Sequence, residues 1–239
     1  MKLVIIAIKV AAYMTWMLRD LVVVKRLTKK GLIKERNEIV ARVSHDWSKF
    51  VVNCTKSTVE VIGEENLPPQ GEPLVIVANH QSAFDIPLLC GYLGRPVTFI
   101  SKIENKKLPF VGSWLEYSNC VFIDRGNPRA AVKTMAEGVE IIKAGYTQGL
   151  FPEGTRSEDG SMSDFKPGGF RLAQKSGAKI LPVTIIGGNL LMPKGTFKIR
   201  KQHIKLIVAP LVEVGELSTR ELAVMTHDIV EENLIKYSN

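Results

Sequence analysis

The sequence predicts an α/β fold: a mixed, largely parallel sheet flanked by helices, with an N-terminal two-helix membrane-attachment unit. Three observations predict it. From residue 73 onward, short apolar runs rich in β-branched residues alternate with longer segments of helical periodicity. Several of those runs end in a polar or charged residue. The residues before 63 lack the alternation and read instead as two long helices. The expected division is a two-helix unit over residues 1–62 and an α/β body over residues 63–239.

Residues 3–24 are mostly apolar, interrupted by Lys9 and by Arg19-Asp20. A spanning helix needs about 20 apolar residues to cross roughly 30 Å, and a central lysine costs about 2.5–3.5 kcal/mol on insertion scales. The stretch from Leu3 to Leu18 is too short and Lys9 lies inside it, so the segment suits a helix lying in the interface or dipping into one leaflet, with Lys9 and Arg19 reaching to the headgroups. Between Lys25 and Arg36 stand six basic residues against the single acid Glu35, a pattern that suits an anionic membrane surface. Residues 38–61 read as a second helix, with Ile39, Val43, Trp47, Phe50, Val51 and Cys54 forming one apolar stripe. The stripe serves equally for packing on the body and for pairing with the first helix. Gly63 to Glu72, with Pro68-Pro69 and Gly71, reads as the loop between the two units.

In the body, strands are expected at 74–78, 96–101, 119–123, 148–151, 180–186 and 204–209. Helices are expected at 84–93, 108–116, 129–144, 167–176 and 218–236. Asn127 and Pro128 suit the cap and first turn of the third of these helices. Pro182 interrupts the strand at 180–186 and predicts an edge or bulge position there, because proline lacks a ladder donor.

The first strand delivers Asn79-His80-Gln81-Ser82-Ala83-Phe84-Asp85. On a regular helix, five residues rotate about 500°, leaving His80 and Asp85 roughly 140° apart. At a strand end followed by a turn and a new helix they can meet. A neutral imidazole acting as a base needs one nitrogen free and the other donating to a group that fixes its tautomer, and a carboxylate does this. His80 is therefore the expected general base and Asp85 its orienting partner.

Other strands end in charge: Lys102 with Lys106 close behind, Asp124-Arg125-Gly126, and Phe151-Pro152-Glu153-Gly154-Thr155-Arg156-Ser157. Arginine presents a planar fork suited to phosphate, and Gly154 permits close approach of backbone to a ligand. Ligands of open α/β sheets bind beyond the carboxyl ends of the strands. Convergence of these ends would place a base beside a cationic anion site, which suits acyl or phosphoryl transfer to a phosphorylated substrate.

Composition narrows the partners. The formal net charge of +8 favours acidic ones. Aromatic content is 7% and no groove-reading or base-stacking motif appears, which argues against nucleic acid. The three cysteines, Cys54, Cys90 and Cys120, show no metal-ligand or redox spacing. No metal or cofactor is expected, and a phosphohydrolase is disfavoured because the chain offers no evident metal cluster or nucleophile. A non-catalytic anionic-lipid binder is the alternative outside enzymes.

Four blocks then resemble those of the glycerolipid acyltransferases, and most closely the members acting on 1-acyl-sn-glycerol-3-phosphate. They are Asn79-His80-x-x-x-x-Asp85, Phe122-Ile123-Asp124-Arg125, Phe151 to Ser157, and Leu181-Pro182-Val183. Order and spacing agree over about residues 70–190, and the N-terminal unit is similar in character to the two-helix anchor of bacterial members. The resemblance implies transfer of a fatty acyl chain from acyl-CoA or acyl carrier protein to the sn-2 hydroxyl of lysophosphatidic acid, giving phosphatidic acid for phospholipid synthesis. Another lysophospholipid or glycerol-3-phosphate is the alternative acceptor. It assigns His80 as base and Asp85 as its support, Arg125 and Arg156 to the phosphate, and Glu153 and Gly154 to the acceptor. Lys102 and Lys106 join the anion site on position and charge alone. Backbone amides at Gly154 or Val183 are the candidates for holding the oxyanion. The implied location is the cytoplasmic face of the inner membrane.

Overall fold

The computed structural model describes residues 2–238 other than Arg125. Helix α1 (Lys2–Lys29) and helix α2 (Ile33–Cys54) pack against each other, and the Arg42 guanidinium meets Asp20 at 2.7 Å across the pair. Met17, Leu21 and Val24 of α1 are buried with Val40 and Val43 of α2. The rest of α1 exposes Val4, Ile5, Ile8, Trp16, Leu18, Val22 and Val23. Among the described residues no helix is long and apolar enough to cross a membrane.

The chain enters the sheet before the expected boundary. Thr58–Ile62 is strand β1, paired in parallel with strand β7 (His203–Val208), where the sequence pattern predicts helix to residue 61. Val59 and Val61 alternate with Thr58 and Glu60, and that two-residue period is the strand's own signature. The N-terminal unit therefore ends with α2, and residues 58–62 belong to the body.

The remaining strands fall where they were expected. They are β2 (Leu74–Ala78), β3 (Val97–Lys102), β4 (Val121–Ile123), β5 (Thr147–Leu150) and β6 (Lys179–Ile186). Among the described residues the seven strands form one sheet in the order β1-β7-β6-β2-β5-β3-β4. Among the described strand pairs, β6–β7 alone is antiparallel. The carboxyl ends of β2, β3, β4, β5 and β6 accordingly share one edge.

Period-two alternation in β2 builds a core on each face. Leu74, Ile76 and Ala78 pack with Leu88 and Leu89 of α3 (Asp85–Tyr92) and with Val52 of α2. Val75 and Val77 pack on the other face with Ile142 of α5 (Pro128–Lys143), Leu172 of α6 (Arg171–Ser176) and Leu222 of α8 (Thr219–Tyr237). Helix α4 (Val111–Tyr117) follows β3 and joins the α1–α2 core through Trp114. The short helix α7 (Gly188–Leu191) follows β6. As expected, Asn127 caps α5, its side-chain oxygen accepting from the Arg129 and Ala130 amides.

Pro182 is not on an edge, since β6 lies between β2 and β7. It is tolerated by the other device that was anticipated. Val183 pairs with Val208 while Ile180 pairs with Val212, so three steps on β6 face four on the opposing chain. The missing donor falls at this bulge, and the Pro182 carbonyl still accepts from the Ala209 amide at 3.0 Å.

Candidate active site at the carboxyl edge of the sheet

β2 ends at Ala78, and Asn79 ties this end to the neighbouring strand. Its side-chain oxygen accepts from the Ile185 amide at 2.7 Å and its nitrogen donates to the Ile185 carbonyl at 2.9 Å. The chain then turns so that Asp85 opens α3. Asp85 is fully buried, and its Oδ2 accepts three N–H groups: Gln81 N at 2.7 Å, Ser82 N at 2.8 Å and His80 Nδ1 at 2.7 Å. Burial pushes the Asp85 carboxyl above its ordinary value, while the His80 ring and the two amides oppose that rise. Two amides already pointing at the same oxygen mark it as an acceptor, so the proton of this network sits on Nδ1. His80 Nε2 is left with its lone pair. The His80 side chain is 21% exposed, open enough to reach a substrate.

β5, the strand beside β2, supplies the next part. The Phe151 ring stacks on the His80 imidazole at 4.3 Å and 17°, and Phe99 of β3 stacks behind Phe151 at 5.9 Å. Glu153 is buried, its Oε1 accepting from the His80 backbone amide at 2.7 Å and its Oε2 from the Ser163 amide at 3.0 Å. The Ser157 amide donates to the His80 carbonyl at 2.8 Å. Gly154 has φ +74°, a conformation glycine adopts without strain, and a Cβ there would lie 3.1 Å from the Lys166 ammonium. The Gly154 amide closes a turn onto the Phe151 carbonyl at 3.1 Å.

The structure thus gathers His80, Asp85, Glu153, Gly154 and the half-buried Arg156 on two adjacent strand ends. Lys102 closes β3, one strand further on and exposed, roughly 10 Å from β2 at about 4.8 Å per strand. Lys106 is engaged elsewhere: its ammonium meets Glu116 at 2.8 Å and lies over the Phe122 ring. Arg125 lies outside the described residues; beside it, the Asp124 carboxylate accepts from the Gly126 amide at 2.9 Å. Val183 is not brought into the open space. It is fully buried in the sheet between Ala78 and Val208.

Two parts of the site carry no local signal in the sequence. Lys166 is far along the chain and reaches the site because its amide donates to the Pro152 carbonyl at 3.1 Å. The other part is an apolar cleft of about 270 Å³. It begins at Ala83 and Ile86, just past His80, and passes Phe99, Cys90 and Cys120 to Met17, Val43 and Trp47 of the N-terminal helices. No motif reports a cleft walled by five separate elements, α1, α2, α3, β3 and α4. Among the described residues, the group of potential metal ligands drawn close together is His227, Asp228 and Glu231, which lies on α8 outside this cluster.

Comparison with known proteins finds relatives for both the sequence and the fold. The family model described as Acyltransferase matches residues 58–186, beginning at the first residue of β1. A 1-acyl-sn-glycerol-3-phosphate acyltransferase of Chlamydomonas reinhardtii is 40% identical over 151 residues, 63% of this chain and 45% of that protein. The chain spans less than half the length of this algal relative and of related chloroplast proteins. A relative of the same name from Borreliella burgdorferi is 31% identical over 177 residues, 74% of this chain and 70% of that one. The crystal structure of the 1-acyl-sn-glycerophosphate (LPA) acyltransferase PlsC from Thermotoga maritima superposes with a TM-score of 0.79 at 30% identity, covering 99% of this chain and 97% of the other.

Proposed function

The chain belongs to the acyltransferase family, and from that membership we propose that it moves a fatty acyl group from a thioester donor to the sn-2 hydroxyl of 1-acyl-sn-glycerol-3-phosphate, giving phosphatidic acid. The observation that carries the reading is the Asp85 carboxylate, which fixes the His80 tautomer through Nδ1 at 2.7 Å and leaves Nε2 free.

In this reading His80 Nε2 takes the hydroxyl proton as the acceptor oxygen attacks the thioester carbonyl. The imidazolium that forms is stabilised by Asp85. Collapse of the tetrahedral intermediate breaks the carbon–sulfur bond, and the imidazolium returns the proton to the departing thiolate. The thioester is already reactive, so no nucleophile from the chain is needed. The Phe151 ring, stacked on His80, helps to hold the imidazole plane. Arg156 and Lys166 beside Gly154 are assigned to the acceptor's phosphate, with Arg125 and Lys102 as further contributors on the same edge. The apolar cleft starting at Ala83 takes an acyl chain.

The donor is acyl-CoA or acyl carrier protein, since both are acidic and suit a chain of net charge +8. The same charge, the basic run after α1 and the exposed apolar face of α1 support attachment to an anionic membrane, at the cytoplasmic face of the inner membrane, with α1 lying within one leaflet.

An acyl-transfer assay with lysophosphatidic acid and each donor tests the reading. Wild type should yield phosphatidic acid, and His80→Ala should lose at least about 100-fold in kcat. A loss of only a few-fold would remove His80 as the base. Arg156→Ala and Lys166→Met should raise KM for lysophosphatidic acid and leave the weak reaction with a phosphate-free monoacylglycerol unchanged. Equal effects on both acceptors would remove these cations from the phosphate site.

A further inference from the structure

The family resemblance gives Glu153 to the acceptor, but its surroundings assign it other work. Its residue is 2% exposed, and each carboxylate oxygen already takes a backbone amide, His80 N–H at 2.7 Å and Ser163 N–H at 3.0 Å. On the other side of the same residue, the His80 carbonyl accepts from the Ser157 amide at 2.8 Å. Both main-chain polar groups of His80 are therefore held by the segment 153–163, and neither is held by a neighbouring strand.

The chemistry of the pair explains the residue type. Two N–H donors converge on the two oxygens of one side chain. Only a carboxylate offers an acceptor at both positions, because glutamine would present an N–H to one of the donors. A buried carboxylate is costly unless hydrogen-bonded, and these two amides supply that compensation. An acidic group is also a poor neighbour for a phosphorylated acceptor, which would be repelled by it. The ring of His80 is fixed separately, by Asp85 at Nδ1 and by Phe151 on its face. A base whose ring is oriented but whose backbone can drift would still miss the hydroxyl, and misplacement of about 1 Å can cost 100-fold.

We propose that Glu153 is a positioning residue that clamps the His80 backbone to the loop bearing Arg156, and is not a ligand of the acceptor. The inference rests on the reading of His80 as the base. It goes beyond that reading by tying the base to the acceptor loop: Glu153 holds His80 with one oxygen and, through Ser163, the far end of the loop with the other.

The test uses Glu153→Gln and Glu153→Asp in the full chain, assayed with lysophosphatidic acid. Glutamine keeps the size and loses one acceptor; aspartate keeps the charge and shortens the reach. With the clamp, kcat falls about 10- to 100-fold in Glu153→Gln while the acceptor KM and its directly measured Kd stay within about two-fold. Glu153→Asp should retain an intermediate kcat, again at unchanged KM. In a His80→Ala background Glu153→Gln should cost nothing further, because there is no base left to position. A KM or Kd raised about tenfold at near wild-type kcat would overturn the proposal, and so would a full additional loss in the His80→Ala background. If Glu153→Gln does not fold, Glu153→Asp carries the measurement. Loss of folded protein in both variants would also overturn it, since the carboxylate would then be supporting the fold and not the base. Failure of the functional reading is seen separately, in the wild type, as no phosphatidic acid from either donor.

Discussion

Asp85 Oδ2 collects three N–H donors, and the negative charge it offers them is what an amide oxygen in the same place would lack. Asparagine at 85 would fill the same space, but if its oxygen stayed on the two amides the His80 tautomer would no longer be enforced by a negative charge. We expect Asp85→Asn to fold and to lose about 10²–10⁴ in kcat with little change in KM, by analogy with the loss of an orienting carboxylate in a serine-protease triad; steady-state kinetics checks it. The His80–Asp85 pair was legible in the sequence because both residues lie within one turn of a strand end. Glu153 was visible as a residue but not in its role, because that role is defined by backbone amides 73 and 10 residues away, which side-chain spacing does not report. Burial also raises the Glu153 carboxyl above its ordinary value of 4.5, with the His80 and Ser163 amides opposing. The folded chain then holds that proton more tightly than the unfolded chain. The stabilising contribution is full below the ordinary value and is lost as pH rises through the raised one. Denaturant melts at pH values rising from the ordinary value of 4.5 should therefore show stability falling more steeply with pH in wild type than in Glu153→Gln.

The elements show why most strands, but not β1, could be placed from the sequence. β2 and β6 are apolar runs bounded by turn residues, whereas Thr58–Ile62 follows a long amphipathic helix whose stripe masks a change of period. Pro182 carried a correct signal with two solutions, and only the register with β7 chooses between them. Gly149 in β5 illustrates a constraint that composition hides. A Cβ there would sit 2.3 Å from the Phe99 ring, and Phe99 backs Phe151, which stacks on His80. Gly149→Ala should cost about 1–3 kcal/mol by overpacking, read as a lower denaturation midpoint, and should lower kcat by shifting that stack. Helix α1 makes the complementary point. Its inward residues are satisfied by α2, while Ile8 is 63% exposed and Trp16 49%. Soluble surfaces rarely line up so many large apolar side chains on one helix. Ile8→Glu and Trp16→Glu should weaken sedimentation with anionic vesicles without lowering the melting temperature, because neither side chain packs in the core. Unchanged binding would place the attachment elsewhere.

At the scale of the molecule, the cleft joins the two parts of the chain that the sequence divides. One wall comes from Met17, Val43 and Trp47 of the N-terminal helices, the other from Ile86, Cys90, Phe99 and Trp114 of the body. The α1–α2 unit is therefore part of the cleft itself: removing it would open that space to solvent, and Val52 of α2 is fully buried against the α3 side of the sheet. The cleft also holds two thiols whose chemistry reports on its occupancy. Burial pushes Cys90 up to about 12 and Cys120 up to about 11. Since the thiolate is the reacting species, Cys90 is held in its unreactive thiol form at about pH 8. A maleimide should then label Cys90 slowly in the native enzyme and fully after denaturation. If the acyl chain fills the cleft as proposed, a non-hydrolysable long-chain donor analogue should slow Cys90 labelling further. A short-chain analogue, which would fill only the part near Ala83, should leave the rate closer to that of the free enzyme. Equal protection by both would move the acyl site away from this cleft while leaving the His80–Asp85 chemistry untouched, because the two rest on different residues.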